Sequence, residues 1–192
     1  MKKILIGTHN KGKFKEISFL MSKKIKKISP NTLNIKSPRE TGKTFSSNSK
    51  LKVNYFSKFT RLPVISDDSG LCIKSLGQRP GVYSARFAKK HGGFLKAMKH
   101  ILNIMKNSKN RSATFICSLS FKYPERKIIT VVGKIKGIIS NKILGKNGFG
   151  YDPIFIPNTK KITFGQMYKS QKMKMDHRYI AFKKMKKKIK IL

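Results

Sequence analysis

The chain has 192 residues, one ordinary domain or two closely packed lobes, and its 39% hydrophobic content with 13 Phe supplies a real core and excludes a disordered chain. Lys and Arg number 45 against 7 Asp and Glu, so the formal net charge is +38 and the expected partners are polyanions: nucleic acid, nucleotides or anionic membranes. Cys72 and Cys117 stand far apart without metal-ligand spacing, which argues against a disulfide framework or a zinc site and for free thiols in a reducing cytoplasm.

Residues 3–8 read as a short aliphatic strand. Its apolar run is too short for the core of a signal peptide, and no stretch reaches the ~18 apolar residues of a membrane span, so a soluble cytoplasmic protein is expected. A helix follows with Phe14, Ile17, Leu20 and Met21 on one face, then a strand near 33–36 and a helix over 44–59. Residues 63–66 form a short buried strand ending at two aspartates, and 71–76 pair back against it. Phe94, Met98, Ile101, Leu102 and Met105 repeat at helical spacing and predict a helix over 93–106. Residues 113–123 and 127–139 alternate as a hairpin turning at Pro124-Glu125; a strand at 154–156 and a last helix from His177 complete the chain. The early alternation followed by a meander predicts an α/β class with a mixed sheet. The run from Lys183 to Lys190 reads as a helix end with a solvated basic face around Met185 and Ile189.

Scarcity makes each acid informative. Glu16 and Glu125 look like surface residues, whereas Glu40, Asp67, Asp68, Asp152 and Asp176 lie in segments dense with Gly, Pro, Ser or Asn. Asp67-Asp68-Ser69-Gly70 sits at a strand end, where α/β proteins place catalytic groups, and alternation sends the two carboxylates to opposite sides. One of them, joined by Glu40, would hold Mg²⁺ beside phosphate oxygens; a pair of turn-forming aspartates is the plainer alternative. Lys52 and Asn48 fall within the apolar arc of Phe45, Leu51, Tyr55, Phe56 and Phe59, and a lysine there needs an anion or must snorkel to water. Thr8-His9-Asn10-Lys11-Gly12-Lys13, between strand and helix, offers free N–H groups to a phosphate chain without being a Walker A loop. Gly148-Phe149-Gly150-Tyr151-Asp152-Pro153 presents an aromatic face for a base, or a Gly-rich hairpin with an anchored ring. Asp176 is a candidate N-cap of the last helix, opening on His177 and Arg178.

In this order the motifs resemble the inosine triphosphate pyrophosphatase family, enzymes that hydrolyse non-standard purine nucleoside triphosphates. The resemblance takes in Thr8 to Lys13, Glu40-Thr41-Gly42, Asn48 with Leu51-Lys52, and Ser66 to Leu71. It continues through Pro80-Gly81-Val82-Tyr83-Ser84-Ala85-Arg86-Phe87, Gly148 to Phe155, and Lys172 with His177-Arg178. It implies a single domain over 1–192 without a separable linker, two α/β lobes around a long mixed sheet flanked by helices, a nucleotide cleft between them, and a homodimer. It also implies Mg²⁺-dependent cleavage of ITP, dITP and XTP between the α- and β-phosphates, giving monophosphate and pyrophosphate. Thr8, His9, Asn10, Lys11, Gly12 and Lys13 would then hold the triphosphate, with Ser69 in support. Glu40 and Asp68 would hold the metal, Asp68 would help activate water, and Lys52 would neutralise phosphate charge. Phe149, with Gly150, Tyr151 and Asp152, would seat the purine, and Lys172, His177 and Arg178 would read its 6-keto edge. Three departures stand out: Ser47 where the family often has Glu, Gln166 where Glu is usual, and Asp176 where Ser is usual.

The rival from another class is a basic nucleic-acid-binding protein. Its charge would give salt-sensitive nonspecific affinity, but the lysines are spread along the chain and no familiar RNA-binding motif is present, so no specific nucleic-acid partner and no membrane partner are expected. A nearer rival, the same reaction on modified pyrimidine nucleotides, is disfavoured only through the resemblance.

Overall fold

The computed structural model describes residues 2–189 and shows an α/β fold: a mixed six-stranded sheet flanked by helices. Strands β1 (Lys3–Ile6), β2 (Lys26–Ile28), β3 (Val64–Ile73), β4 (Ser112–Lys122), β5 (Ile129–Ile139) and β6 (Phe155–Pro157) lie in the order β2-β1-β3-β4-β5-β6. β1 runs parallel to β2 and β3, and β5 runs antiparallel to β6. The helices are α1 (Lys11–Leu20), α2 (Phe45–Ser57), α3 (Ser84–Lys90), α4 (Phe94–Ile104), α5 (Lys169–Lys172) and α6 (His177–Lys186). Among the described residues, no helix is long and apolar enough to cross a membrane.

The chain divides into two compact units. The first comprises Met1–Asp68, Cys117–Gly133 and His177–Leu192, the second Ser69–Ile116 and Lys134–Asp176. In the first unit, Ile4, Ile6, Ile17, Ile65, Leu119 and Phe121 pack with Ala181, Phe182 and Met185, so α1 and α6 share one apolar cluster with the strands. α6 approaches β5 closely enough that a Cβ on Gly133 would collide with the backbone of His177 and Ala181, which requires glycine there. Leu5, Val53, Phe56 and Val64 bind α2 to β1 and β3. The second unit has its own core of Leu71, Ile73, Met98, Ile101, Phe115, Phe155 and Phe164. Cys72 and Cys117 are buried free thiols.

Three expectations are corrected. The strand expected at 33–36 does not form: β2 precedes it, and Pro30–Leu33 is a 3-10 turn whose start Ser29 caps by accepting from Thr32 N–H. Pro30 fixes its own φ and has no N–H for a ladder, so the extended segment ends before it. The two strands expected around a turn at Asp67-Asp68 are one strand, β3, buried throughout except at Ser69. Lys13 and Arg178 pair with Asp67, and Asn48 donates to Asp68, so the backbone need not turn toward water there. Glu16, expected at the surface, is 4% exposed and pairs with Arg178. The apolar residues of the C-terminal basic run, Met185 and Ile189, are buried while its lysines up to Lys188 face solvent; Lys190 lies outside the described residues.

Candidate active site

In the first unit the loop after β1 turns into α1. Asn10 caps that helix, its Oδ1 accepting from Lys13 N–H at 3.0 Å, and Asn10 N–H donates to Thr8 Oγ1 at 3.2 Å. With Oδ1 engaged, the Asn10 amide has only donors to offer, and the first-turn N–H groups of Lys11 and Gly12 add more. His9 is pinned through both ring nitrogens, Nε2 to Ile35 O at 2.9 Å and Nδ1 to Ser37 Oγ. It thereby ties the loop to the segment that leads to Glu40.

α2 begins with a capping box: Thr44 Oγ1 accepts from Ser47 N–H at 3.0 Å and Ser47 Oγ accepts from Thr44 N–H at 3.1 Å. Ser47 therefore does at the third helical position what a glutamate does in the commoner form of this motif. From this helix Asn48 and Lys52 point inward. Asn48 accepts from Gly42 N–H at 2.7 Å and donates to Asp68 Oδ2 at 3.0 Å. Lys52 is 7% exposed and donates to Glu40 Oε1 at 2.8 Å.

The carboxylates are tuned apart. Burial pushes Asp67 up, but Lys13 at 3.2 Å, Arg178 at 3.2 Å and Lys52 together hold it well below the ordinary carboxylate range. Asp68 goes the other way: burial raises it, Glu40 adds to the rise, and Lys13, Lys52 and the Asn48 hydrogen bond only partly oppose it. Burial also raises Glu40, yet Lys52 and Lys13 outweigh it and the net shift is downward. Lys52 is disfavoured by burial, but Asp67, Glu40 and Asp68 raise its pKa, so it is fully ammonium. Arg178, 1% exposed, also pairs with Glu16.

Among the described residues, no group of three or more His, Cys, Asp and Glu side chains is arranged to hold a metal by itself. Glu40 and Asp68 nonetheless offer two hard oxygen donors close enough to repel each other electrostatically. A hard cation would relieve both that repulsion and the burial cost on Asp68. This donor set suits Mg²⁺, which takes one or two carboxylates and completes its shell with water and substrate phosphates.

In the second unit Asp152 organises the glycine-rich loop. Its Oδ2 accepts from Phe149 N–H at 2.8 Å and from Lys172 Nζ at 2.7 Å. Gly148 has φ +76°, and a Cβ there would strike that carboxylate. The Lys172 ammonium, 2% exposed, stands 4.9 Å over the Phe149 ring and 3.9 Å from Asp176. Phe149 and Gly150 are partly exposed; Tyr151 is buried with its hydroxyl donating to Ser84 O at 2.9 Å. Ser69 is partly exposed on β3, and His177, in the first unit, is 4% exposed at the start of α6. Gln166 closes a turn by accepting from Thr163 N–H at 3.1 Å. Sequence reasoning left Asp67 and Glu16 out of the site; their rarity as acids was the available signal.

The Ham1 family model matches residues 4–188. The chain is 36% identical to a dITP/XTP pyrophosphatase of Caulobacter vibrioides over 186 residues, covering 96% of each chain. It is 39% identical to a dITP/XTP pyrophosphatase of Oceanobacillus iheyensis over 194 residues, covering 97% of this chain and 98% of that one. Among solved structures, a HAM1 protein from Coxiella burnetii superposes with a TM-score of 0.89 at 30% identity over all of both chains. The Staphylococcus aureus Ham1 protein gives 0.87 at 32% identity over 98% of each. With a family model spanning nearly every described residue and full-length relatives above a third identical, the chain belongs to the Ham1 family.

Proposed function

We propose that this chain hydrolyses dITP, ITP and XTP to the nucleoside monophosphate and pyrophosphate, with Mg²⁺ as cofactor, and so clears non-standard purines from the nucleotide pool. The carrying observation is that α2 sets Lys52 on Glu40 of the preceding segment at 2.8 Å and Asn48 on Asp68 of β3 at 3.0 Å, with Lys52 raised by both carboxylates. The names of the full-length relatives support the substrate class. By family resemblance the protein works in the cytoplasm as a homodimer.

The α1 loop receives the triphosphate, with Asn10 donating from its amide and Lys13 from its ammonium. Glu40 and Asp68 hold Mg²⁺, which when bound neutralises phosphate charge and polarises a phosphoryl oxygen. In this reading Asp68 also accepts the proton of the attacking water, the role the family resemblance assigns to it. The water oxygen bonds to the α-phosphorus, the α–β bridge breaks, and pyrophosphate leaves against Lys13 and Lys52. Asp67 takes no proton in this scheme; it keeps Lys13 placed. The family resemblance assigns Phe149 to stacking on the purine and Lys172, His177 and Arg178 to its 6-keto edge, against the 6-amino group of adenine; Arg178 is held by Glu16 and Asp67.

Incubation with ITP, dITP, XTP, GTP and ATP, with and without Mg²⁺, tests the reading. Metal-dependent release of monophosphate and pyrophosphate from the first three is expected. Release of inorganic phosphate alone, or equal turnover of ATP, would overturn it.

A further inference from the structure

Two lysine runs that are far apart in sequence are pegged into the same hydrophobic cluster of the first unit. Lys23, Lys24, Lys26 and Lys27 flank Ile25, and Lys183, Lys184, Lys186, Lys187 and Lys188 flank Met185 and precede Ile189. Met21 and Ile25 on one side, and Met185 and Ile189 on the other, are each at most 4% exposed and belong to the cluster that joins α1 to α6. The folding of these pegs turns the lysines outward. Two heads are tied to backbone, Lys27 Nζ to Ser22 O at 2.7 Å and Lys184 Nζ to Val132 O at 2.8 Å. The other seven lysines of the runs are exposed, and β1–β2 pairing sets Lys3 opposite Lys26.

No acid occurs in either run, and Glu16, the nearest acid to the first, is turned inward onto Arg178. Like charges so gathered repel one another, and a polyanion relieves the repulsion while releasing its own counterions. We infer that this lysine patch binds the phosphate backbone of nucleic acid without regard to sequence. The runs contain no Arg for bidentate base reading, and their lysines act as point charges. A membrane surface fits less well, because every apolar side chain of the runs is already buried and none projects to enter lipid. The fold thus anchors both runs on one apolar cluster and leaves seven of their lysines exposed.

The experiment is fluorescence anisotropy of a labelled mixed-sequence DNA duplex, titrated with the full chain between roughly 50 and 200 mM NaCl. Seven engaged lysines predict a slope of about −6 in log K against log salt. Replacing Lys23, Lys24, Lys187 and Lys188 by Gln should weaken binding more than tenfold at the lower salt and flatten the slope by roughly 3 to 4. The pair Lys23→Gln/Lys24→Gln and the pair Lys187→Gln/Lys188→Gln should each give about half that change. A control with Lys89, Lys90, Lys96 and Lys99 of the second unit changed to Gln removes the same charge from other exposed positions and should leave the slope nearly unaltered. Equal weakening by the two quadruple variants would overturn the patch in favour of net charge alone. Capture by phosphatidylserine vesicles at a salt concentration that abolishes duplex binding would overturn nucleic acid as the partner.

Discussion

Asp67 and Asp68 are consecutive on β3 and point to opposite sides of the strand, and their surroundings drive them apart. Lys13 and Arg178 close on Asp67; Asp68 meets the neutral amide of Asn48 and the like charge of Glu40. Asp68→Asn should therefore nearly abolish turnover while leaving the urea midpoint unchanged or raised, because it removes a carboxylate that burial disfavours. Asp67→Asn should lower stability by about 3–5 kcal/mol, since it strips Lys13 and the buried Arg178 of a counter-charge. Equal loss of stability in the two variants, read from urea unfolding, would show that the two carboxylates are not differently supported. The rarity of acids pointed to Glu40 and to the Asp67-Asp68 pair, the apolar arc pointed to Lys52, and the family resemblance joined Glu40, Asp68 and Lys52. Glu16 was not legible: its partner Arg178 lies 162 positions away, and nothing in the local pattern of α1 marks a charge facing inward.

At the scale of elements, the seating of α2 decides where Asn48 and Lys52 point. Ser118 and Ser120 are two apart on β4 and so share a face, and both meet Ser49 of α2, at 2.9 and 2.8 Å. Ser118 donates on to Ser46 at 3.2 Å, and Ser120 meets Thr130 of β5 at 2.8 Å. Ser49, Ser118 and Ser120 are fully buried, so this hydroxyl chain fixes the helix against the strands where apolar contact alone could slide. Ser49→Ala should cost about 1–2 kcal/mol, and by loosening α2 it should lower kcat more than it raises KM; Ser49→Thr should restore part of both. A change in stability with unaltered kcat would limit the chain of hydroxyls to structure. Helix periodicity gave both α2 and α4 within two residues at each end; α4 buries Ala97, Met98 and Ile101, whereas α2 buries Asn48, Ser49 and Lys52 beside Val53 and Phe56. The strand errors have a common cause: β2 carries two lysines in three residues, and β3 carries two aspartates in its middle, so neither shows the apolar run that sequence patterns detect. Lysines suit β2 because it is an edge strand, where charge discourages pairing with another chain.

Across the whole molecule, charge is sorted by depth. Glu16, Asp67, Asp68, Asp152 and Asp176 are buried, Glu40 is partly covered, and Glu125 alone of the seven acids is exposed. Lys13, Lys52, Lys172 and Arg178 stand against the first six of these acids, so the interior is slightly negative and the outside carries all the excess of the +38. Exposed like charges repel over a distance set by salt, and the screening length falls from about 30 Å at 0.01 M to about 8 Å at 0.15 M. Unfolding spreads those lysines apart, so low salt favours the unfolded chain and added salt removes that advantage. The buried pairs are shielded from solvent ions and lose little over the same range. The melting temperature should thus rise by several degrees as NaCl increases from ~0.01 to ~0.15 M and then level off. Chloride is the right anion for this measurement, because sulfate also strengthens apolar burial and would raise stability without any contribution from surface charge. A melting temperature that falls with NaCl would mean that exposed ion pairs outweigh lysine repulsion, which the placement of six of the seven acids away from the exposed surface argues against.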